Sequence, residues 1–304
     1  MSLLLPFPRA TAPLTLDDLD GIAKIYPHGE PDHLKIVRPQ IEQRASLIKT
    51  WGIKPGEKVL EIGCGQGDCT VVLATAVGDG GSVTALDPAS LDYGSPYTLG
   101  QAQAYLKASS VGPRITFVQA DPIAFLAQTT ERYTTAVLAQ CSWYFASPQV
   151  WSDILAALLQ RVDRVCVSEY ALSAGDPRAA AHVLATFAQA ALEVHKDGGK
   201  STSNVRTVFS PARLKSAAIS TGLKVESEIL MRPPEGMLDG KWEVGWVLSA
   251  GFAKEIDDHV KDEREKAVVI AARDSVQAAV ELLKAKDEKV ATMDIWVATF
   301  VKEA

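Results

Sequence analysis

The chain is poor in cysteine: four in 304 residues, none in a Cys-x-x-Cys pair and none near a histidine at zinc-ligand spacing. That excludes a disulfide scaffold and a structural zinc site, and no metal is expected. Cys64, Cys69, Cys141 and Cys166 read as buried free thiols of a reducing compartment. Long apolar runs are absent too; none reaches the roughly 18 residues of a membrane span. The opening Met1-Ser2-Leu3-Leu4-Leu5-Pro6 lacks a basic start and is broken by Pro6, Pro8 and Pro13, unlike a signal peptide. A cytoplasmic protein with no membrane partner is expected. Positive charge is also scarce. With 31 Lys+Arg against 37 Asp+Glu the net charge is −6, and no basic cluster is interleaved with aromatics, so no nucleic-acid partner is expected. The length suits one large domain, or one domain with a smaller cap.

What the chain does have is glycine in a telling place. Val59-Leu60-Glu61-Ile62 reads as a strand with one acid in it. Gly63, Gly65 and Gly67 then alternate around Cys64 and Gln66, Asp68 follows, and Cys69-Thr70-Val71-Val72-Leu73-Ala74 can run on as a helix. A strand, a tight glycine turn and a helix start bring backbone N–H groups close to a bound small molecule, because no side chain blocks the approach. An ordinary strand-to-helix turn is the plainer reading, but three alternating glycines after an embedded acid weigh against it. The dinucleotide fingerprint G-x-G-x-x-G is met at Gly63 and Gly65 and fails at Asp68, which disfavours a nicotinamide-dependent oxidoreductase. Ser82–Asp87 is a second strand ending in an acid. Asp87 lies 24 residues after Gly63 (87 − 63), a spacing that suits an acid accepting both hydrogen bonds of a ribose diol. Arg114–Asp121 reads as a third strand, again ending in an acid.

The E-x-G-x-G-x-G pattern resembles the first motif of the Rossmann-like (class I) S-adenosylmethionine-dependent methyltransferases. The resemblance is good over residues 33–172. It implies that the glycine loop wraps the methionine half of S-adenosylmethionine and that Glu61 helps to hold its amino group. It further implies that Asp87 takes the ribose and Asp121, with Ala120 beside it, the adenine. The expected fold is α/β: a doubly wound, mostly parallel seven-stranded sheet with an antiparallel last strand, an N-terminal arm and a helical C-terminal insertion.

Strands at Tyr133–Ala139, Arg164–Tyr170, Leu223–Ile229 and Ile295–Val301 continue the alternation. Helices are expected over 32–51, 122–128, 149–161 and 176–195, and from Pro211. Residues 1–32, rich in Pro and Asp, read as an irregular arm, and 33–304 as the methyltransferase domain. An insertion at 233–292, with Trp242, Trp246 and a long helical pattern, reads as two helical pieces broken near the charge run 261–266. A structural brace, a substrate cap and a homodimer face all remain open for it.

The segment after the fourth strand, Gln140-Cys141-Ser142-Trp143-Tyr144-Phe145, lacks the Asn-Pro-Pro-aromatic pattern of amine and amide methylation. Gln140 and Cys141 can line the sulfonium, and Trp143 and Tyr144 an acceptor pocket; core packing is the alternative for each aromatic. Tyr26 and His28 lie on the arm, which in this family often folds over the cofactor. That makes Tyr26 a cofactor contact and His28 a candidate base, with a plain surface histidine as the alternative. His182 and His195 are candidate substrate contacts from the helix after the fifth strand, or ordinary helix surface. The elaborated C-terminal part is similar to small-molecule methyltransferases of microbial and fungal secondary metabolism. The leading reading is methyl transfer from S-adenosylmethionine to O, N or S of a small, partly aromatic metabolite. The alternative is a cofactor-binding protein or cyclase on the same fold, which would keep the same loop.

Overall fold

Short apolar runs separated by amphipathic repeats cannot bury themselves alone, so they assemble as a sheet between two layers of helices. The computed structural model describes residues 14–27, 31–197 and 201–303. In chain order the elements are α1 (Leu19–Ile25), α2 (Pro31–Trp51), β1 (Lys58–Ile62), α3 (Asp68–Val77), β2 (Ser82–Asp87), α4 (Leu99–Lys107), β3 (Ile115–Gln119), α5 (Pro122–Gln128), β4 (Tyr133–Ala139), α6 (Pro148–Leu158), β5 (Val162–Tyr170), α7 (Ala180–Glu193), α8 (Pro211–Ser220), β6 (Leu223–Met231), α9 (Asp239–Val247), α10 (Ala250–His259), α11 (Glu263–Lys284) and β7 (Ile295–Lys302). The seven strands lie in the order β3-β2-β1-β4-β5-β7-β6. Only β7 runs against the others, pairing antiparallel with both β5 and β6. The expected fold class is observed.

The central strands are apolar because helices cover both their faces. Leu60, Ala136, Val137, Cys166 and Phe300 are fully buried. At the N-terminal end of the sheet a polar network fastens the layers. The Arg164 guanidinium donates to Glu57 Oε1 at 2.9 Å, to Thr135 Oγ1 at 2.9 Å and to the Trp51 carbonyl at 2.6 Å. The carboxyl ends of the strands are left for a ligand, as parallel α/β sheets arrange it.

Four local expectations are corrected. The arm is helical from Leu19: Asp18 accepts from the Gly21 N–H at 2.9 Å, and Ile22, Ala23, Ile25 and Tyr26 are buried against α2 and α3. The Asp run that suggested irregular chain is a helix cap and first turn. The third strand stops at Gln119. Asp121 lies beyond it as the N-cap of α5, accepting from the Ala124 N–H at 2.9 Å, with Pro122 at the first helical position. Helix α4 was not anticipated, although Thr98 and Gln101 form a capping box, a signature visible in sequence. The 233–292 region holds three helices, not two. Ser249 caps α10 and Asp262 caps α11, and the chain is extended at Val260 between them.

These three helices share a core with α7. Ala181, Ala185, Ala188 and Leu192 recur at helical spacing and meet Val244, Val247, Phe252, Ile256, Val269 and Val276. Alanines on that face let α11 lie close along α7. Asp294, just ahead of β7, ties down the loop that leads from β5 to α7: it accepts from the Gly175 N–H at 2.7 Å and from Ser173 Oγ at 3.0 Å.

Candidate active site

The loop between β1 and α3 is shaped by three glycines for three different reasons. Gly63 (φ +76°) backs onto β4's exit: a Cβ there would lie 2.5 Å from Cys141 Cβ. Gly67 (φ +89°) starts α3, and a Cβ would meet Leu106 of α4 at 2.5 Å. Gly65 (φ +50°) differs. Its Cβ would meet nothing within 4 Å, so the backbone there faces open space. The loop is pinned from outside: the Gly63 and Cys64 N–H groups donate to the Leu86 carbonyl at 2.8 and 3.0 Å. Asp87 accepts from the Gly65 N–H at 2.8 Å and from the Ala89 N–H at 2.9 Å, which holds its carboxylate at the tip of β2 beside the opening. The Gln103 amide donates to the Gly65 carbonyl at 3.0 Å, and Gln66 reaches the Tyr97 carbonyl. An open cradle of backbone with an acid at its rim fits the methionine and ribose parts of S-adenosylmethionine.

Glu61 lies under this loop, fully buried, and accepts from Thr70 Oγ1 at 2.6 Å. Burial pushes its carboxyl up to about 7, against the hydrogen bond from Thr70. Asp68 is bonded to Arg44 of α2 at 2.7 Å, and Arg44 also donates to the Gln140 amide oxygen. Gln140 itself has φ +53°, so the chain turns sharply as it leaves β4. Burial, with the Asp68 charge nearby, raises the Tyr26 hydroxyl well above its ordinary value. Cys64 and Cys141 are buried thiols whose pKa values burial also raises. Ala120 donates to the Asp87 carbonyl at 3.2 Å, and Asp121 is exposed beside it. His28 lies outside the described residues.

Beyond Gln140 the chain walls a second space. A cavity of about 130 Å³ is lined by Arg44, Gln140, Trp143, Tyr144, Glu169, Tyr170, His182, Asn204, Asp239 and Glu243. Trp143, buried, packs on Tyr170 with ring centroids 5.3 Å apart; Tyr144 is half exposed. His182 is wholly buried. Its Nδ1 accepts from the Met293 N–H at 3.1 Å, so the neutral ring carries its proton on Nε2. Burial lowers its pKa to about 3. His195 is elsewhere, with its Nδ1 3.5 Å from Glu265 of α11.

Several lining residues escaped the sequence reading. Glu169 is an acid near the end of an apolar strand, the same signal that singled out Glu61. It accepts from Ser142 N–H and Oγ at 3.0 and 2.6 Å and from the Tyr170 N–H at 3.0 Å, and burial raises it to about 7. Asp239 and Glu243 come from α9 of the insertion, and Arg44 from mid-helix; only the tertiary fold brings these to the cavity. Tyr170 Oη donates to Asp239 Oδ1 at 2.8 Å.

The sheet order, the glycine cradle after β1 and the acid closing β2 define a Rossmann-like methyltransferase architecture. Comparison with known proteins agrees. Residues 59–168 match a family described as a methyltransferase domain. Over 88% of its length the chain is 27% identical to methyltransferase phomM' of the fungus Diaporthe leptostromiformis, covering 85% of that protein. The crystal structure of a cyclopropane-fatty-acyl-phospholipid synthase-like protein from Lactobacillus casei superposes with a TM-score of 0.81 at 27% identity, over 94% of this chain and 99% of that one. The chain thus carries a methyltransferase domain on this fold and is an S-adenosylmethionine-dependent methyltransferase.

Proposed function

We propose that the enzyme transfers the methyl group to oxygen, nitrogen or sulfur of a small, partly aromatic metabolite held in the cavity beyond Gln140. The observation that carries this is the position of that cavity. Gln140 and Arg44 wall it on the side of the glycine loop, and Trp143, Tyr144 and Tyr170 supply aromatic surface. In this reading Glu61, Gly63, Cys64, Gly65, Gln66, Gly67, Asp87, Ala120, Asp121 and Tyr26 hold the cofactor, while Gln140 and Cys141 flank the reacting methyl. A sulfonium methyl is already electrophilic, so the protein's main contribution is to place the acceptor in line and near attack distance, which supplies several kcal/mol of the barrier. A cavity of about 130 Å³ with acidic walls suits a compact polar acceptor and not an acyl chain.

The segment ahead of α2 serves in this reading as a lid, since exclusion of water favours the transfer. Hydrogen exchange across residues 15–27 should slow when S-adenosylhomocysteine is added. The reaction itself is tested by incubating the chain with methyl-labelled S-adenosylmethionine and amine, phenol and thiol acceptors. Release of S-adenosylhomocysteine together with a labelled acceptor is the expected result. A cofactor that binds but is never demethylated with any of them favours the non-methylating protein or cyclase on the same fold.

A further inference from the structure

The cavity beyond Gln140 is rich in acids. Three acidic side chains, Glu169, Asp239 and Glu243, each raised in pKa by burial, face one guanidinium, Arg44, and that guanidinium is already engaged by Asp68 and Gln140. Glu169 is fully occupied by donors from Ser142 and Tyr170. The surplus lies on α9. Asp239 is held through Oδ1 by Tyr170, but its Oδ2 is buried without any hydrogen-bond partner among the described residues. Glu243 is anchored through Oε2 by the Gln189 amide. A buried carboxylate oxygen without a donor is costly, and the cost is relieved when a donor arrives. The second orphan in the wall is His182 Nε2, which is wholly buried, carries the ring proton and has no acceptor among the described residues.

A neighbouring cavity of about 300 Å³ shares Glu243 and Asn204 with the first. Its other walls include Trp242 and Trp246, both close to half exposed, and Glu255, whose charge is met by Lys196. Two indole rings beside an uncompensated carboxylate attract a cation, which gains from the ring faces and from the acid together.

We propose, building on the methyl-transfer reading, that the acceptor molecule carries a cationic amine as its binding handle: this ammonium, which has no lone pair to take the methyl, docks between Asp239 and Glu243, and an oxygen of the same molecule accepts from His182 Nε2. Trp242 and Trp246 flank the entrance and favour positive charge on the way in. Anionic acceptors, such as carboxylic acids, are repelled by the same acids.

Calorimetric titration of the full chain tests this, with and without saturating S-adenosylhomocysteine, using phenethylamine, 2-phenylethanol and phenylacetate as probes of equal shape and different charge. Phenethylamine should bind at least about tenfold tighter than the alcohol, the ratio that one charge-assisted hydrogen bond supplies. Phenylacetate should not bind. Glu243→Gln and Asp239→Asn should each remove that preference while leaving the weak alcohol binding in place. Asp239→Asn also disturbs Tyr170, so melting curves of both variants show which are folded, and Glu243→Gln alone suffices to decide. Equal binding of the three probes, no binding of the amine, or a preference that survives Glu243→Gln overturns the proposal. S-adenosylhomocysteine binding without an amine preference defeats this inference alone. An amine preference in a chain that does not bind S-adenosylhomocysteine defeats the methyl-transfer reading and leaves the cation site standing.

Discussion

The two halves of the ligand end of the sheet are built by different means. On the β1–β2 side the cradle is backbone: positive φ at Gly63, Gly65 and Gly67, and carboxylate-to-amide bonds from Asp87. On the β4–β5 side the cavity is made of side chains gathered from α2, the turn after β4, the end of β5, α7, the segment at Asn204 and Val205, and α9. A backbone site serves one invariant ligand, because its geometry follows from the turn. A side-chain site changes with every substitution on the segments that line it. On the proposed reading the enzyme pairs a fixed cofactor half with an adaptable acceptor half, the second being where the α9–α11 insertion enters.

The largest effect that can break this comparison is at Gly65. A Cβ there touches nothing in the protein, yet the left-handed φ and the open side both belong to the cradle. Gly65→Val should leave a folded chain and lower S-adenosylhomocysteine affinity at least about 100-fold, well over 2 kcal/mol, read by calorimetry. Unchanged affinity in a folded variant would move the cofactor away from this loop. Asp87→Ala comes next. It removes an ionised acceptor from the Gly65 and Ala89 amides as well as from the ribose, at roughly 1.5–3 kcal/mol per charged hydrogen bond. Affinity for S-adenosylhomocysteine should fall at least tenfold, and normal binding would make Asp87 a turn former only.

A pH experiment compares the halves directly, since each holds one fully buried acid, Glu61 and Glu169, both raised by burial to about 7. A carboxyl whose folded pKa is raised stabilises the fold fully below its unfolded pKa, near 4.3. That contribution is lost as pH rises to about 7. Glu61→Gln and Glu169→Gln should each flatten the decline of unlabelled, ligand-free stability between these limits, by on the order of 1–3 kcal/mol. Denaturant midpoints at pH 5 and 7.5 measure it; slopes identical to the parent chain would show that both acids are ionised in the fold. The smallest effect belongs to Tyr170→Phe, which removes the hydroxyl bonded to Asp239 and about 1 kcal/mol of positioning. KM for the acceptor should rise severalfold with S-adenosylhomocysteine affinity unchanged; a change in cofactor affinity would mean that the halves are not separable.

Legibility in the sequence follows the same division. The cradle was readable because glycine at fixed offsets and acids at strand ends are local signals, and β2, β4 and α5 fall where the pattern put them. Asp121 shows the limit of such signals: an acid after a strand also serves as a helix cap, and the bond to Ala124 is what the fold displays. Of the residues expected to contact an acceptor, Trp143, Tyr144 and His182 line the cavity beyond Gln140. Asp239 and Glu243 reach the cavity from about 70 residues beyond β5, through packing of α9 on the alanine face of α7, which no local pattern announces. His195, on the same helix as His182 in sequence, sits past the end of α7 and turns to Glu265 instead.

The central claim is that this chain binds S-adenosylmethionine at the Gly63–Gly67 loop. The most direct measurement is a thermal shift of the unmodified chain with S-adenosylhomocysteine against NAD. Ligand at about 100 times its Kd adds roughly 2.7 kcal/mol of stability, which for a domain of this size raises Tm by several degrees. The account predicts that rise with S-adenosylhomocysteine and none with NAD. A rise with NAD, or no shift with S-adenosylhomocysteine at millimolar concentration, would contradict it.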